Sequence, residues 1–542
     1  MYKERYTEWL TFDDETRSEL LSIGEDEKEL EDRFYKNVAF GTGGLRGVMG
    51  AGTNRMNSYT IKKASMGLAN YVLSQGNKQA SIAIAFDTRN HSQQFAEDAA
   101  TVFSSMGIKA YLFDAAMPTP VLSFTVRYLN CDAGIVITAS HNPKEYNGYK
   151  VYDNQGGQLP PDAAREVTHF IDQIENFNAV KDLTGNPELV EMIGSKILDS
   201  FIGEVMKQSI SQGELDVVYT PLHGAGNVPV RRILESFNVS IVKEQELPDG
   251  NFSTVTSPNP EDRDALQMAI AQAKQEDADI VIGTDPDCDR IGVAVKHAGE
   301  FRLLTGNQIG ALLADFVIDN TEVNEDSTLI KTIVTNDFGA KIASEKGLQI
   351  IETLTGFKYI GEKINAFESS EELTNKFVMG YEESYGYLVG THARDKDAVV
   401  SALLICEMAS YYKAKSLTLF DKLEDLYGAY GYYLDALDSV TLKGVEGAAR
   451  IQTMMEEVRE ADAQFFENVG EVRDYAKGID GLPKENVIKF MLTDESWVAI
   501  RPSGTEPKIK FYYSIRAKDE DSAQEKLVVI KEKIKQNLDI AL

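Results

Sequence analysis

Short apolar runs alternate with helix-forming segments over most of the chain, and this rhythm constrains the fold more than any other feature. Residues 82–86 form one apolar run, a helical pattern follows at 92–105, and the next apolar run is 109–113. The same order starts again at residues 216–220 and a third time at about residue 303. Because strands that alternate with helices lie side by side with the helices packed on both faces, the rhythm predicts three similar α/β domains, each with a parallel sheet between helices.

The C-terminal part of the chain departs from this rhythm. From about residue 433, strand-like and helical pieces alternate irregularly, and a charged amphipathic helix over about 519–537 ends the sequence. A chain of 542 residues is too long for one hydrophobic core. We therefore expect an α/β protein with three similar α/β domains and a C-terminal α+β domain. The expected domains are residues 1–203, 204–302, 303–432 and 433–542.

Charge and cysteine content limit the partners of the chain. The formal net charge is −30 and the sequence pI is about 4.7, so the protein repels nucleic acid and anionic membranes. The three cysteines are odd in number and widely spaced, and they form no disulfide framework, which suits a reducing compartment. No apolar run approaches the roughly 20 residues that span a bilayer, and the first residues lack the apolar core of a secretion signal. We expect a cytoplasmic protein with neither nucleic-acid nor membrane partners.

Ser140 and His141 stand just after an apolar run at residues 133–137, which we interpret as a buried parallel strand. Asn142-Pro143 then breaks any regular structure. Because ligands of open α/β sheets bind at the carboxyl ends of the strands, Ser140 lies where a nucleophile would be displayed. A simple Asn-Pro turn with a satisfied hydroxyl is the structural alternative.

Three aspartates alternate along the loop after another predicted strand: Asp285, Asp287 and Asp289. Carboxylates at this spacing can converge on one hard cation. An EF-hand loop is excluded, because its sixth and twelfth positions would be Arg290 and Lys296 instead of glycine and glutamate. The pattern favours a Mg²⁺ site that leaves coordination positions for a phosphate oxygen, and an acidic turn without a metal is the alternative.

Two glycine-rich turns are candidates for binding anions, and neither fits dinucleotide binding. Residues 40–50 contain five glycines together with Arg46, which stands where the third glycine of a Rossmann motif should be. Gly224-Ala-Gly226 also lies between a predicted strand and a helix, but Pro229 occupies the third glycine position. We therefore give NAD binding little weight. The first turn allows its backbone to approach an anion closely, and a tight structural loop is the alternative.

Two further loops carry polar groups suited to a sugar phosphate. Glu382 and Ser384 follow a predicted strand at 376–380, and on an extended backbone their side chains lie on one face, where they suit vicinal hydroxyls. Arg501-Pro-Ser-Gly-Thr505 combines a guanidinium, two hydroxyls and a glycine N–H within five residues, which predicts a compact anion cradle. Helix capping and a structural turn are the respective alternatives.

In this order, the motifs resemble those of the α-D-phosphohexomutase family, and most of all its bacterial phosphoglucomutase branch, which is related to the animal phosphopentomutase-like enzymes. The resemblance spans nearly the whole chain and is carried by residues 41–46, 138–143, 147–150, 285–290, 382–384 and 501–505. The sugar loop departs from the common form of the family, because Tyr381 precedes Glu382 where glycine is usual and Tyr385 follows Ser384.

The resemblance implies three similar mixed-sheet α/β domains and a C-terminal α+β domain around a central cleft. It also implies a role for each matching residue. Ser140 resembles the serine that carries a phosphoryl group, and Lys150, with a lowered pKa, resembles the group that moves the proton. His141 and Arg46 resemble residues that lie beside them. An oxygen at Ser140 and the carboxylates of Asp285, Asp287 and Asp289 resemble the shell of a single Mg²⁺ ion. The residues that resemble substrate contacts are Glu382, Ser384, Lys358, Arg290, Arg501, Ser503, Gly504 and Thr505.

The activity that the resemblance implies is the interconversion of glucose 1-phosphate and glucose 6-phosphate, an isomerase-class reaction through a phosphoserine and glucose 1,6-bisphosphate. It also implies one Mg²⁺ per chain, glucose 1,6-bisphosphate as an activator, and sugar phosphates as the partners of a monomer or weak homodimer. The alternatives are activity on mannose, glucosamine or pentose phosphates, a metal-dependent phosphatase, and a non-catalytic sugar-phosphate binding protein. Intact Ser140 and Lys150 and the complete aspartate triad argue against the last of these.

Overall fold

The structure is a computed structural model that describes residues 2–24, 26–41, 43–442, 444–479, 481–503 and 507–541. It contains two compact units. Unit 1 comprises Met1–Leu304, Ile360–Leu373 and Tyr385–Ala414, and unit 2 comprises Thr305–Tyr359, Thr374–Ser384 and Lys415–Leu542. Across the described ranges, no helix combines the length and the apolar content that crossing a membrane requires.

Three short helices open unit 1: α1 (Tyr2–Trp9), α2 (Asp14–Ser22) and α3 (Glu27–Phe34). The carboxylates of Asp13 and Asp26 accept hydrogen bonds from N–H groups in the first turns of α2 and α3, and so cap these helices. The rings of Trp9 and Phe34 are fully buried and meet edge to face, 5.7 Å apart. These aromatic side chains give the N-terminal helices a small core of their own.

A six-stranded mixed sheet in unit 1 leads to the loop that contains Ser140. Its strands are β1 (Gly44–Val48), β2 (Ser81–Phe86), β3 (Lys109–Phe113), β4 (Ala133–Ile137), β5 (Tyr146–Asp153) and β6 (Val190–Ile193). Its helices are α4 (Ser58–Ser74), α5 (Ser92–Ser105), α6 (Thr119–Tyr128), α7 (Pro161–Asp172), α8 (Asn178–Lys181) and α9 (Ser195–Met206). The order is β1-β5-β4-β2-β3-β6, with parallel pairs from β4 to β6 and antiparallel pairs on both sides of β5. The strand β4 is completely buried, as predicted for residues 133–137.

The strand β6 was not recognised in the sequence, where the rhythm of the first domain ended with β4. It is only four residues long, and Glu191 and Met192 are exposed, so it lacks the continuous apolar run of the central strands. Its pairing with β3 at the edge of the sheet identifies it, and that partner is 80 residues away in the sequence, as the registered pair Ala110 and Val190 shows.

A second mixed sheet in unit 1 carries the aspartate loop. Its strands are β7 (Asp216–Thr220), β8 (Asn238–Ile241), β9 (Ile280–Thr284), β10 (Ile291–His297) and β11 (Glu300–Leu303), with helices α10 (Asn227–Ile233), α11 (Lys243–Glu246) and α12 (Gln267–Glu276). The order is β11-β10-β9-β7-β8, in which β9, β7 and β8 are parallel. The completely buried strand β9 ends directly before Asp285.

Unit 2 contains a parallel sheet in the order β13-β12-β14. The elements of this part of the chain are α13 (Gly306–Asn320), β12 (Ser327–Thr332), α14 (Phe338–Glu345), β13 (Gln349–Thr353), α15 (Phe357–Ser369) and β14 (Lys376–Glu382). The chain then contributes β15 (Gly386–Val389) and α16 (Ala398–Lys413) to unit 1 and α17 (Leu419–Tyr430) to unit 2.

The C-terminal part of unit 2 is an antiparallel sheet covered by two helices. Its strands are β16 (Tyr432–Thr441), β17 (Val469–Asp474), β18 (Ile488–Leu492), β19 (Trp497–Pro502) and β20 (Lys508–Ala517), in the order β16-β20-β19-β18-β17. The helices α18 (Gly444–Ala461) and α19 (Glu520–Leu538) pack on the core side chains of this sheet. Four sheets, three of them α/β and the last α+β, confirm the predicted fold class, and the central cleft stays a prediction.

Candidate active site

Ser140 lies three residues beyond β4, at the strand end where the sequence predicted it. Its backbone has a φ of 52°, in the left-handed region that residues with a Cβ rarely adopt. Its side chain is buried, and its N–H donates to the Thr138 hydroxyl at 2.8 Å. Ser140 Oγ donates a hydrogen bond to Asp285 Oδ2 at 2.7 Å and lies 3.3 Å from His141 Nδ1. The hydroxyl therefore faces the aspartate loop.

The three aspartates converge as predicted. One carboxylate oxygen from each of Asp285, Asp287 and Asp289 lies within 4.8 Å of the other two, and all three residues are buried. Oδ1 of Asp287 and Oδ1 of Asp289 accept no hydrogen bond from any residue that the structure describes. Oδ1 of Asp285 accepts from the N–H groups of Asp289 and Arg290, both at 3.0 Å. Buried, converging carboxylate oxygens that lack protein donors suit a hard divalent cation, so these residues fit a metal ion.

Two lysines face the same carboxylates. Lys150 Nζ lies 2.7 Å from Asp287 Oδ2 and 3.3 Å from Asp289 Oδ2. Lys396 Nζ lies 3.2 Å from Asp289 Oδ2 and 2.9 Å from Asp395 Oδ1. Sequence reasoning missed Lys396, because it belongs to a run of four charged residues, and such runs are ordinarily exposed. The whole run is buried in unit 1, and its position directly before the apolar helix α16 is the signal that could have found it.

Charges in this cluster shift the pKa values of its members in opposite directions. Burial disfavours the charged form of Asp289, but Lys396 and Lys150 outweigh it and hold the pKa of that carboxyl far below its usual range. Burial, together with the charges of Asp287 and Asp289, raises the pKa of Asp285 well above its usual value. Burial also opposes the charge on Lys150, yet Asp287 and Asp289 prevail and raise its pKa. The prediction that the pKa of Lys150 is lowered is therefore wrong, because two nearby carboxylates hold its proton more strongly than burial expels it.

Thr119 is a further contact that sequence reasoning missed. It is buried at the start of α6, where its N–H donates to the backbone oxygen of Asp287 at 2.8 Å and its hydroxyl donates to Asp287 Oδ2 at 2.9 Å. Pro118 and Pro120 flank it, and proline favours the first turn of a helix. Because a helix start offers unpaired N–H groups, the Pro-Thr-Pro sequence is a signal that could have drawn attention to this residue.

Arg46 and His141, both predicted from the resemblance, border Ser140. Arg46 is exposed on β1, and its Nη1 donates to Asn142 Oδ1 at 3.2 Å. Burial, followed by the positive charges of Arg290 and Arg46, lowers the pKa of His141 well below its usual value. The imidazole beside Ser140 is therefore neutral at pH 7.

Arg290 directly follows the last of the three aspartates. Its Nη1 forms an ion pair with Glu261, and its Nε lies 3.9 Å from Asp289 Oδ1. Glu261 thus directs one edge of the guanidinium, while the other edge faces Asp289 Oδ1, which accepts no hydrogen bond within the described ranges. This arrangement puts a fixed positive charge next to the candidate cation site.

Unit 2 carries residues that the resemblance assigns to sugar binding. Glu382 is the last residue of β14 and is buried, and its Oε1 accepts a hydrogen bond from the Gly356 N–H at 2.9 Å. Lys358 follows in the first turn of α15, where its Nζ lies 4.9 Å from the centre of the Tyr359 ring. The structure therefore brings Glu382 next to the loop that leads to Lys358.

Two expectations about the sugar loop change with the structure. Ser384 lies in the turn after β14, so the argument that it shares a strand face with Glu382 does not hold. Tyr381 is fully buried in unit 2, where a Cβ added to Gly310 or Gly339 would lie 2.3 Å from its ring or its hydroxyl. Successive strand residues point to opposite faces, so Tyr381 fills the core while Glu382 faces the other way. The departure from glycine at this position therefore serves packing.

The predicted phosphate cradle begins on β19. Arg501 is half-buried, and its Nη2 lies 3.3 Å from Glu485 Oε1. Ser503 directly follows the strand. Gly504 and Thr505, the other two members of the cradle, lie outside the described residues.

Comparison with known protein families shows which family the sequence matches. Residues 37–178, 197–299 and 305–430 match domains I, II and III, respectively, of the family described as phosphoglucomutase/phosphomannomutase, alpha/beta/alpha. A phosphoglucomutase of Staphylococcus haemolyticus is 39% identical over 508 residues, which cover 90% of this chain and 91% of that protein. A phosphoglucomutase of Staphylococcus epidermidis is 37% identical over 541 residues, which cover 96% of this chain and 98% of that protein.

Solved structures share the fold. A phosphoglucomutase/phosphomannomutase family protein from Burkholderia thailandensis has a TM-score of 0.71 at 20% identity, over 92% of this chain and 97% of that chain. The phosphoglucomutase pp63/parafusin from Paramecium, in its open form, has a TM-score of 0.70 at 18% identity, over 92% of this chain and 95% of that chain. The structural likeness agrees with the three domain matches and with the close sequence relatives, and this chain belongs to the phosphoglucomutase/phosphomannomutase family, the α-D-phosphohexomutases that its motifs predicted.

Proposed function

We propose that the chain is a phosphoglucomutase, an isomerase-class intramolecular phosphotransferase that interconverts glucose 1-phosphate and glucose 6-phosphate. The observation that carries this proposal is the 2.7 Å hydrogen bond from Ser140 Oγ to Asp285, inside a buried cluster of three aspartates and two lysines. A serine that carries a phosphoryl group needs such a combination of a cation site and positive side chains. Relatives named phosphoglucomutase that match at least 90% of the chain support glucose as the sugar.

Ser140 is the carrier of the phosphoryl group in this proposal. The phosphoserine transfers its phosphoryl group to a free hydroxyl of the bound sugar phosphate, which gives glucose 1,6-bisphosphate, and Ser140 then takes the other phosphoryl group back. Asp285, Asp287 and Asp289, with an oxygen at Ser140, would hold one Mg²⁺, which supplies positive charge to neutralise the oxygens of the transferring group. Glucose 1,6-bisphosphate also activates the enzyme, because it phosphorylates any Ser140 that has lost its phosphoryl group.

Lys150 is the group that we assign to proton transfer. With its proton held by Asp287 and Asp289, its ammonium donates a proton to the oxygen that leaves phosphorus. The resulting neutral amine takes the proton of the attacking hydroxyl in the same half-reaction, so Lys150 ends each half-reaction protonated and no proton is gained or lost. The neutral His141 and the guanidinium of Arg46 complete the catalytic group beside the serine.

Substrate recognition is assigned to the loops that the sequence predicted. The phosphate that is not transferred binds the cradle through a guanidinium, hydroxyls and a backbone N–H, and the sugar hydroxyls bind a carboxylate and a hydroxyl. The bisphosphate reorients by half a turn between the two half-reactions, so each phosphate occupies the cradle in turn. The cradle comprises Arg501, Ser503, Gly504 and Thr505, and the sugar contacts are Glu382, Ser384, Lys358 and Arg290.

We also propose four domains around a central cleft, at residues 1–203, 204–302, 303–432 and 433–542. The three family matches and the four separate sheets support this order of domains, and the matches that end at residues 299 and 430 lie close to the proposed boundaries at 302 and 432. The proposed enzyme works on small sugar phosphates in the cytoplasm as a monomer or weak homodimer. A net charge of −30 supports weak self-association, because like-charged copies repel one another.

The substitution Ser140→Ala tests the proposal. It removes the oxygen that carries the phosphoryl group, so we expect interconversion of the two glucose phosphates to fall to background in a coupled dehydrogenase assay. Ser410→Ala is the matched control, because Ser410 is an equally buried serine of unit 1 whose hydroxyl bonds only the Glu407 backbone oxygen among the described residues. Intact-mass measurement should find one phosphate adduct in the wild type and none in Ser140→Ala.

The outcomes separate the alternatives. Full activity of Ser140→Ala would eliminate the phosphoserine mechanism. Steady release of inorganic phosphate by the wild type would identify a phosphatase, since a mutase retains the phosphoryl group. A higher kcat/KM for mannose, glucosamine or pentose phosphates than for glucose 1-phosphate would replace glucose as the main substrate.

A further inference from the structure

Arg89, at the carboxyl end of β2, binds the backbone of the loop that carries Ser140, which we call the serine loop (residues 138–146). The side chain of Arg89 has no exposed surface. Its two Nη atoms donate to four backbone carbonyl oxygens, all within 3.2 Å, which belong to Ser140, Asn142, Pro143 and Tyr146. One guanidinium therefore holds the serine loop at four points.

This contact matters because Ser140 has an unusual backbone conformation. A residue with a φ of 52° is held against the steric preference for the right-handed and extended regions. The N–H of Ser140 donates to the Thr138 hydroxyl, and its carbonyl accepts from Arg89 Nη2, so the peptide groups on both sides of its Cα are fixed. If the carbonyl were released, Ser140 would relax toward the common regions and Oγ would turn away from Asp285.

The guanidinium is itself held in one position. Its Nε lies 3.3 Å from Asp87 Oδ2, and Asp87 Oδ1 accepts from the Arg89 N–H at 2.9 Å and from the Ser92 hydroxyl at 2.6 Å. The ring of Phe252 covers the guanidinium, with its centre 5.0 Å from Cζ. An arginine side chain has five N–H donors. The two Nη atoms of Arg89 donate to the four carbonyl oxygens of the serine loop, and its Nε faces Asp87 Oδ2 without forming a hydrogen bond to any described residue, so the Nη donors are not directed at a substrate.

We propose that Arg89 is a positioning residue for phosphoryl transfer, which holds Ser140 in its left-handed conformation and so aims Oγ at the aspartate cluster. The proposal rests on the proposed mutase function. Arg89 differs in this respect from Arg46, which is exposed beside the serine. Its direct contacts with the serine loop are to backbone carbonyl groups, while its positive charge also interacts with Asp287 and Asp285.

The substitution Arg89→Lys tests the proposal in the full-length enzyme with Mg²⁺. A lysine keeps the charge beside Asp87, but its compact ammonium cannot reach four separate carbonyl groups. We expect kcat for glucose 1-phosphate to fall about 100-fold, since a displacement of about 1 Å at a reacting group has that effect, while KM stays at the wild-type value. The rate at which glucose 1,6-bisphosphate phosphorylates Ser140, followed by intact mass in a single turnover, should fall by the same factor.

Arg55→Lys is the matched control. Arg55 is also buried in unit 1, with 8% of its side chain exposed, and it pairs with Asp32 and Glu29 away from the serine loop. We expect Arg55→Lys to keep the wild-type kcat even if its melting temperature falls. If Arg89→Lys does not fold, the double variant Asp87→Asn/Arg89→Met serves as a second test, because it removes both buried charges. We expect the same fall in kcat for this double variant.

Each result decides whether Arg89 positions Ser140, binds substrate or only stabilises the fold. A wild-type kcat in Arg89→Lys overturns the proposal, and a raised KM at constant kcat would instead make Arg89 a substrate ligand. An equal fall in Arg55→Lys, or failure of both Arg89 variants to fold, would assign Arg89 to stability alone. Absence of mutase activity in the wild type would refute the proposed function itself, which is a separate and distinguishable result.

Discussion

Replacing Thr119 by valine isolates one hydrogen bond at the candidate metal site. The substitution keeps the branched shape and the backbone N–H that donates to Asp287, and it removes only the hydroxyl that donates to Asp287 Oδ2 at 2.9 Å. Lys150 then remains as the partner of that oxygen, at 2.7 Å. A partner that orients a metal ligand typically contributes about 10- to 100-fold to metal affinity. We therefore expect Thr119→Val to bind Mg²⁺ about 10- to 100-fold more weakly than the wild type.

Calorimetric titration with Mg²⁺ and thermal unfolding measure this change independently of catalysis. At a Mg²⁺ concentration of about 100 times the wild-type dissociation constant, binding stabilises the wild type by about 2.7 kcal/mol. The same concentration should stabilise Thr119→Val by only about 0.4 to 1.4 kcal/mol, since it is then about 1 to 10 times the dissociation constant. The variant should therefore gain less in melting temperature on addition of Mg²⁺.

Thr125→Val controls for the loss of a buried hydroxyl from the same helix. Thr125 is completely buried on α6, and its hydroxyl donates to the Val121 backbone oxygen at 2.6 Å instead of to the aspartate loop. We expect this variant to bind Mg²⁺ like the wild type. Wild-type metal affinity in Thr119→Val, or an equal loss in Thr125→Val, would refute the reasoning that Thr119 orients Asp287 for the cation.

Two further substitutions test other contacts. In Gly386→Ala the new methyl group would lie 2.0 Å from Lys396 Cδ, so the lysine must move, and we expect kcat to fall at least about tenfold. Gly428→Ala should keep the wild-type kcat, because no atom of the described residues lies within 4 Å of its methyl group. Burial lowers the pKa of Lys489 from 10.5 to about 8. The charged ammonium therefore destabilises the folded state below pH 8, and this destabilisation is lost as the pH rises toward 10.5. Calorimetry should therefore show that Lys489→Met gains more stability over the wild type at pH 7 than at pH 10, by about 2–3 kcal/mol. A wild-type kcat in Gly386→Ala, or a pH-independent difference for Lys489→Met, would contradict these expectations.

The meeting of Ser140 and the aspartates could be predicted because each follows a buried strand. The strands β4 and β9 read as continuous apolar runs, and the carboxyl ends of such strands are where loops present functional groups. Lys396 could not be predicted in this way, since local pattern marks a charged run as exposed. Burial of that run depends on ion pairs with residues far away in the sequence, such as Asp289.

Backbone geometry was the other property that the sequence could not supply. Ser384 was expected on an extended strand, but β14 ends at Glu382 and the chain turns before Ser384. The direction of the Lys150 pKa shift could not be predicted either, because it depends on the short distances from Lys150 Nζ to Asp287 and Asp289. The missing information was the end of β14 in the first case and the distance between charged atoms in the second, and the order of residues determines neither.

The charges around Ser140 explain how an acidic protein can hold a dianionic phosphate. With all groups ionised, Asp285, Asp287 and Asp289 contribute three negative charges, while Lys150 and Lys396 contribute two positive charges. A divalent cation adds two positive charges and a phosphoserine dianion adds two negative ones, so joint occupancy leaves the charge of the cluster unchanged. The cation alone, or the phosphoserine alone, changes the charge of the cluster by two units. The charged groups lie a few ångströms apart, where the interaction between two unit charges amounts to about 4 kcal/mol at an effective dielectric constant of about 20. The cation and the phosphoryl group should therefore strengthen each other's binding by the same factor, and the cluster favours the state in which both are present.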